Sequence, residues 1–253
     1  MSQQVFITGA ASGIGLAMAS AFVAEGAKVT LLDRDSDRVE AARADLAKEA
    51  GAAVWAMTAD VAEAAEMTQA IAAAARAMEG LDVVIANAGI GLTKPFLETT
   101  PEAFAAVHAV NIRGVFHTIW AGAREMIARG QAGSLLVNAS VTGLRPSTER
   151  AAYGSSKAAA INLAQVAAIE LAPQGLRVNA ICPGPVATPL TEVMHDGPTR
   201  QEWETRVPMQ RYGTPEEIAD LAVFLASPRA SYINGQAIAV DGGWTIAGLM
   251  PQR

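Results

Sequence analysis

The chain carries one cysteine, Cys182, in 253 residues, which excludes an internal disulfide and fits a reducing cytoplasm. Aromatic residues supply only 5% of it while 51% is hydrophobic, with alanine dominant, a balance that favours helices packed closely on a sheet. A net charge of −6 leaves no basic face, so nucleic acid is not an expected partner. Every apolar run is broken by charge before it could span a bilayer. Met1-Ser2-Gln3-Gln4 leads straight into a strand, without the basic and long apolar region of a secretion signal. These shortages together predict a soluble, cytoplasmic protein with no membrane partner.

What the chain has instead is a glycine-rich bend, Thr8-Gly9-Ala10-Ala11-Ser12-Gly13-Ile14-Gly15. It follows the apolar run Val5, Phe6, Ile7 and leads into helical spacing at Ile14, Met18, Ala21 and Phe22. A strand that bends at glycines and restarts as a helix is the first turn of a dinucleotide-binding sheet. Gly9 permits the turn, Gly13 admits a pyrophosphate close to the backbone, and Gly15 lets helix and strand approach. The first N–H groups of the helix, around Ser12 to Gly15, face the anion.

Further units follow the same plan. Gly26 ends the first helix, and 27–33 reads as a strand closing on Asp33, 18 residues beyond Gly15. A carboxylate there would accept from the adenosine ribose hydroxyls and repel a 2′-phosphate; otherwise it caps the helix beginning near Ser36. Arg34 could pair with that phosphate. With no second positive charge at Ser12, the balance favours NAD over NADP. A helix over 37–50 ends at Gly51, and the strand 53–57 runs to Asp60-Val61, where a carboxylate would meet the adenine amino group or cap the next helix. That helix covers 62–78. The strand 81–85 then stops at a second bend, Asn87-Ala88-Gly89.

Thr100-Pro101-Glu102 opens a long helix running to about Arg129, with Asn111-Ile112-Arg113-Gly114 near its middle. The strand 134–137 leads to Ser140, and a helix continues from Lys157 to Leu171, carrying small residues on more than one face, as packing against another subunit would require. A strand over 176–181 precedes Pro183-Gly184-Pro185. Residues 188–212 are polar and proline-interrupted, a candidate substrate lid that holds His195 and Trp203. Thr214-Pro215-Glu216-Glu217 starts one more helix, and the strand 236–240 closes on Asp241-Gly242-Gly243. The expected architecture is one α/β domain over 1–253: a doubly wound parallel sheet of the Rossmann type, with about seven strands and helices on both faces.

Tyr153 and Lys157 lie four apart and share a helix face, although that spacing alone also arises by chance. An ammonium stabilises a phenolate and so lowers its pKa, fitting Tyr153 to exchange a proton with a substrate oxygen. Ser140 would hydrogen-bond the same oxygen, and Asn111 would anchor a water relaying protons from Lys157. Ser140 lacks the flanking glycines of a hydrolase elbow. His108 and His117, nine apart, share no zinc-binding face, so no metal is expected.

In TGAASGIG (Thr8 to Gly15), Asp60, NAG (Asn87 to Gly89), NIRG (Asn111 to Gly114), Ser140, YGSSK (Tyr153 to Lys157), PGPVAT (Pro183 to Thr188) and the closing DGG, the chain resembles the short-chain dehydrogenase/reductase superfamily along nearly its whole length. The resemblance implies a catalytic tetrad of Asn111, Ser140, Tyr153 and Lys157, with Lys157 on the nicotinamide ribose and Thr188 on the carboxamide. It extends the cofactor contacts through Pro183, Gly184 and Val186, and implies NAD preference and a homotetramer. Ala86 departs from the family pattern, where a further Asn often precedes NAG. The expected activity is NAD-dependent interconversion of a secondary alcohol and its ketone. Two alternatives stand beside it. One is a 3-oxoacyl-carrier-protein reductase, ranked lower because Ile90 to Pro95 lacks the usual Arg-containing motif. The other is a non-catalytic cofactor sensor, which need not keep all four catalytic positions.

Overall fold

The computed structural model describes residues 2–50, 53–194 and 197–247. Seven short apolar segments form one parallel sheet in the order β3-β2-β1-β4-β5-β6-β7. They are β1 Gln4–Thr8, β2 Lys28–Asp33, β3 Val54–Thr58, β4 Val83–Ala86, β5 Gly133–Asn138, β6 Leu176–Pro183 and β7 Ala237–Val240. The inner strands are apolar on both faces because both faces are covered. Helices α1 (Gly13–Ala24), α2 (Ser36–Ala50) and α9 (Pro215–Ala226) close one face over Ile7, Met18, Phe22 and Leu31. Helices α3 (Ala64–Ala77), α5 (Val115–Ala128) and α6 (Ala151–Leu171) close the other, over Phe6, Met67, Met78 and Met126. Methionine and alanine do the filling that few aromatics could.

The order in which strands are added to the sheet reverses between β1 and β4, which pair in parallel. Thr8 ends β1, and its Oγ1 accepts from Asn87 N at 3.0 Å and Ala88 N at 3.1 Å just past β4. The two bends are therefore stitched together at the topological switch point, where open α/β sheets bind ligands.

The helix expected from Thr100 to Arg129 divides into three: α4 Pro101–His108, a π-helical turn Ala109–Gly114, and α5. Thr100 caps α4 as expected, accepting from Ala103 N. The wide turn brings this segment hard against Val61, whose Cγ2 would lie 2.6 Å from a Cβ at Gly114. Helix α6 runs Ala151–Leu171 and so carries Tyr153 and Lys157 on one helix, as expected. The residues Tyr153 to Ser156 have modest helix propensity, but burial of Ala152, Ser156 and Lys157 overrides it. Asp35, rather than Asp33, caps α2, its Oδ1 accepting from Arg38 N at 3.1 Å. Thr214 and Glu217 form a reciprocal capping box on α9. Within 188–212 lie two short helices, α7 Pro189–Met194 and α8 Gly197–Arg206. Gly51 and His195 lie outside the described residues.

Candidate active site

The carboxyl ends of β1, β2, β4, β5 and β6 open on one cleft. Every residue singled out above for the cofactor lines it, from Gly9 to Thr188, as do Ser140, Tyr153 and Lys157. Asn111 does not.

At Gly9 and Gly15 of the cradle the structure leaves no room for a side chain. Gly9 has φ +64°, and a Cβ there would come within 2.7 Å of Ala88 Cα. A Cβ on Gly15 would collide with the Gly9 carbonyl and with Asn87 Nδ2. Gly13 is different: its φ of +56° demands glycine, while a Cβ there would only touch Thr188 at 3.6 Å. The bend thus follows β1 and precedes α1 with three glycines that bring its backbone close to the cleft, the surface that a dinucleotide pyrophosphate at a helix N-terminus needs.

Asp33 sits half-buried at the end of β2. Its Oδ2 accepts from Ala11 N at 3.3 Å, so the carboxylate braces the bend from beside it. Exposed Arg34 lines the same end, and so does Arg38, which the sequence reading did not single out. Arg38 falls one turn into α2, so helix phase was the available signal. Asp60 is exposed, and its Oδ1 accepts from Ala62 N at 2.8 Å instead of capping α3. Thr188 is held by Thr191, another residue not anticipated, whose Oγ1 accepts from Thr188 N at 2.9 Å and donates to Val186 O at 2.6 Å.

Asn87 turns its amide inward. Its Nδ2 donates to Thr8 O at 2.9 Å and Gly9 O at 3.1 Å, and its Oδ1 accepts from Asn138 Nδ2 at 2.7 Å.

At the other end, α6 presents Tyr153 and Lys157 to the cleft. Lys157 is 4% exposed, its Nζ donating to Asn138 O at 2.8 Å and lying 5.7 Å from the Tyr153 ring centre. Burial holds this ammonium down at about 8, against an ordinary 10.5. Burial also pushes Tyr153 above its usual value, and the hydrogen bond with Ser140 and the charge of Arg150 only partly oppose that. What opposes desolvation at Tyr153 is thus Ser140 and Arg150, not the neighbouring ammonium from which the lowering was expected. Ser140 is buried, and its Oγ accepts from Thr142 N at 3.2 Å and Thr142 Oγ1 at 3.0 Å. Arg150, buried at the start of α6, places its guanidinium 5.8 Å from the Tyr153 ring centre. Cys182 is buried, and desolvation pushes its thiol up to about 12, as for an inert core thiol.

Asn111 is fully buried in the π-helical turn. Its Oδ1 accepts from Ile90 N at 2.9 Å, and its Nδ2 donates to Ile90 O and Ser156 Oγ, both at 3.0 Å. The Asn111 side chain is thus committed to protein groups. It fixes the Gly89-Ile90 backbone against α6 from behind the cleft. His108 and His117 bond to Ser155 Oγ and Val61 O, and no metal-binding group occurs among the described residues.

These features fit a nicotinamide dinucleotide: a glycine-rich anion cradle, an acid beyond it, and a buried cation with a phenol at the far end.

Comparison with known proteins agrees with this geometry. Residues 9–245 match the family model described as enoyl-(acyl carrier protein) reductase. Over 245 residues the chain is 43% identical to galactitol 2-dehydrogenase (L-tagatose-forming) of Cereibacter sphaeroides, covering 95% of this chain and 94% of that protein. A short-chain type dehydrogenase/reductase from Mycobacterium marinum superposes with a TM-score of 0.92 at 33% identity, over 96% of this chain and 95% of that one. The 3-ketoacyl-(acyl-carrier-protein) reductase from Brucella melitensis, solved with NADH, gives a TM-score of 0.88 at 35% identity, over 96% and 98%. With a fold, a cleft and full-length relatives in agreement, the chain belongs to the short-chain dehydrogenase/reductase superfamily of nicotinamide-dependent oxidoreductases.

Proposed function

We propose that the protein interconverts a secondary alcohol and its ketone with NAD, using Tyr153 as general acid/base. The observation that carries this reading is the placement of Tyr153, Ser140 and Lys157 around one end of a cleft whose other end is the glycine cradle. A bound nicotinamide supplies the acceptor or donor of hydride at the substrate carbon. The side chains handle the proton. In the oxidative direction Tyr153 takes it from the substrate hydroxyl, and in the reductive direction returns it to the carbonyl oxygen. Ser140, its hydroxyl oriented by Thr142, hydrogen-bonds the same oxygen. Lys157 stabilises the phenolate as it forms and holds the nicotinamide ribose. Asn111 acts on the site through Ile90 and Ser156.

Asp33 supports NAD over NADP, because a carboxylate at the end of β2 meets ribose hydroxyls and repels a further phosphate. Arg34 and Arg38 limit that preference. The relative named for galactitol oxidation at position 2 supports a secondary alcohol as substrate. The segment 188–212 serves as a lid, with Trp203 of α8 stacked on Trp244 at 5.4 Å between ring centres. Phe116 and Trp120 on α5, with Val166 and Ile169 on α6, leave an exposed apolar face that supports association of copies into a homotetramer in the cytoplasm.

Replacing Tyr153 by Phe is the test. Turnover on a panel of sugars, polyols and cyclic alcohols should fall by about 1,000-fold, while the NAD dissociation constant stays within about twofold. Full turnover in that variant would remove Tyr153 from the chemistry.

A further inference from the structure

Asn138 has an amide whose orientation is dictated by its neighbours. Thr8 O and Gly9 O are both acceptors, so the Asn87 NH2 group must face them and the Asn87 oxygen must face away. That oxygen accepts from Asn138 Nδ2 at 2.7 Å. The Asn138 Oδ1 is therefore the atom left over, and it is buried with no hydrogen-bond partner in a residue only 8% exposed. An unmatched buried carbonyl costs free energy that a suitably placed donor recovers. Asn138 lines the cleft at the end of β5, where its own backbone oxygen holds Lys157 Nζ and where Ser140 follows two residues later. Asp33, Arg34 and Arg38 lie across the sheet at the end of β2, separated from it by β1 and β4.

We propose that Asn138 Oδ1 is a further binding acceptor for the nicotinamide–ribose half of the cofactor, taking a hydrogen bond from a hydroxyl or amide N–H of that half. This inference rests on the nicotinamide reading of the cleft. It makes Asn138 the link between two sets of contacts: Nδ2 fixes it to the cradle through Asn87, and Oδ1 meets the ligand beside Lys157.

The experiment titrates wild-type protein and Asn138→Leu with NAD and, separately, with ADP, by calorimetry. ADP carries the adenosine and pyrophosphate half but no nicotinamide riboside. Asn138→Leu should weaken NAD about tenfold, as loss of one buried hydrogen bond does, and leave ADP within about twofold. Equal weakening of both ligands would show that Asn138 only shapes the cradle, and an unchanged NAD affinity would show that Oδ1 meets no ligand. Either result overturns the proposal. Should Asn138→Leu fail to fold, Asn138→Ser carries the same comparison, since its shorter side chain cannot reach the same point. Failure of wild-type protein to bind NAD would sink the functional reading itself, a result distinct from any effect of the variants.

Discussion

The two ends of the cleft are built from different materials. At the β1, β2 and β4 ends the shape is set by backbone: Gly9 and Gly13 at positive φ, Gly15 against a carbonyl, and Thr8 and Asn87 pinning two bends to each other. At the β5 and β6 ends the shape is set by buried polar side chains: Asn111, Ser140, Ser156 and Lys157 are each 7% exposed or less. Backbone at a tight bend tolerates no added atom, so the first end is suited to gripping a ligand in one register. Buried polar groups hold protons and charges in a low dielectric, so the second end is suited to chemistry. The Asn87–Asn138–Lys157 chain of hydrogen bonds joins the two.

The sharpest way to break the contrast is at Gly15. Gly15→Ala forces a methyl into the Gly9 carbonyl and Asn87 Nδ2, and should weaken NAD by roughly 10- to 100-fold on calorimetric titration. Asp33→Ser removes the acid from the gripping end alone. The ratio of NADP to NAD turnover should then rise about tenfold in initial-rate assays, with Arg34 and Arg38 left to attract the additional phosphate. An unchanged ratio would show that the two arginines already dominate.

At the chemical end the effect is on stability as well as rate. Lys157 sits at about 8 when folded, below its ordinary 10.5. Between those values the unfolded chain holds a proton that the folded chain does not, so stability rises with pH across the window. The cost of the buried ammonium is fully present below pH 8. Lys157→Met should therefore be inactive yet more stable than wild type by about 2 kcal/mol at pH 7, after allowing for the partner lost by Asn138 O. Denaturant melts should show that gain shrinking towards pH 10.5. A gain independent of pH would assign it to packing. Thr214→Ala gives the smallest change. Loss of the capping box on α9 should cost about 1 kcal/mol and leave turnover unaltered, because α9 lies behind the sheet.

Backbone-made features were legible in the sequence and side-chain networks were not. Glycine spacing announces a bend because only glycine takes those conformations, and Thr100 and Thr214 announce helix starts because their hydroxyls satisfy orphan N–H groups. Motif order placed Tyr153, Lys157 and Ser140. By contrast, the commitment of Asn111 to Ile90 and Ser156 needs a π-helical turn that no periodicity reveals. The raised Tyr153 follows from desolvation, which a Tyr-Lys spacing does not encode. Arg38 enters the cleft from the start of α2, Thr191 from α7 and Asn138 from the end of β5, and none of them carries a motif.

The claim that one end grips and the other reacts is tested most directly by measuring NAD affinity and turnover in Gly15→Ala and Tyr153→Phe side by side. The account predicts a crossed result. Gly15→Ala should lose affinity by at least about tenfold while keeping most of its turnover at saturating NAD. Tyr153→Phe should bind NAD as wild type does and turn over about 1,000-fold more slowly. Parallel losses of affinity and turnover in both variants would contradict it.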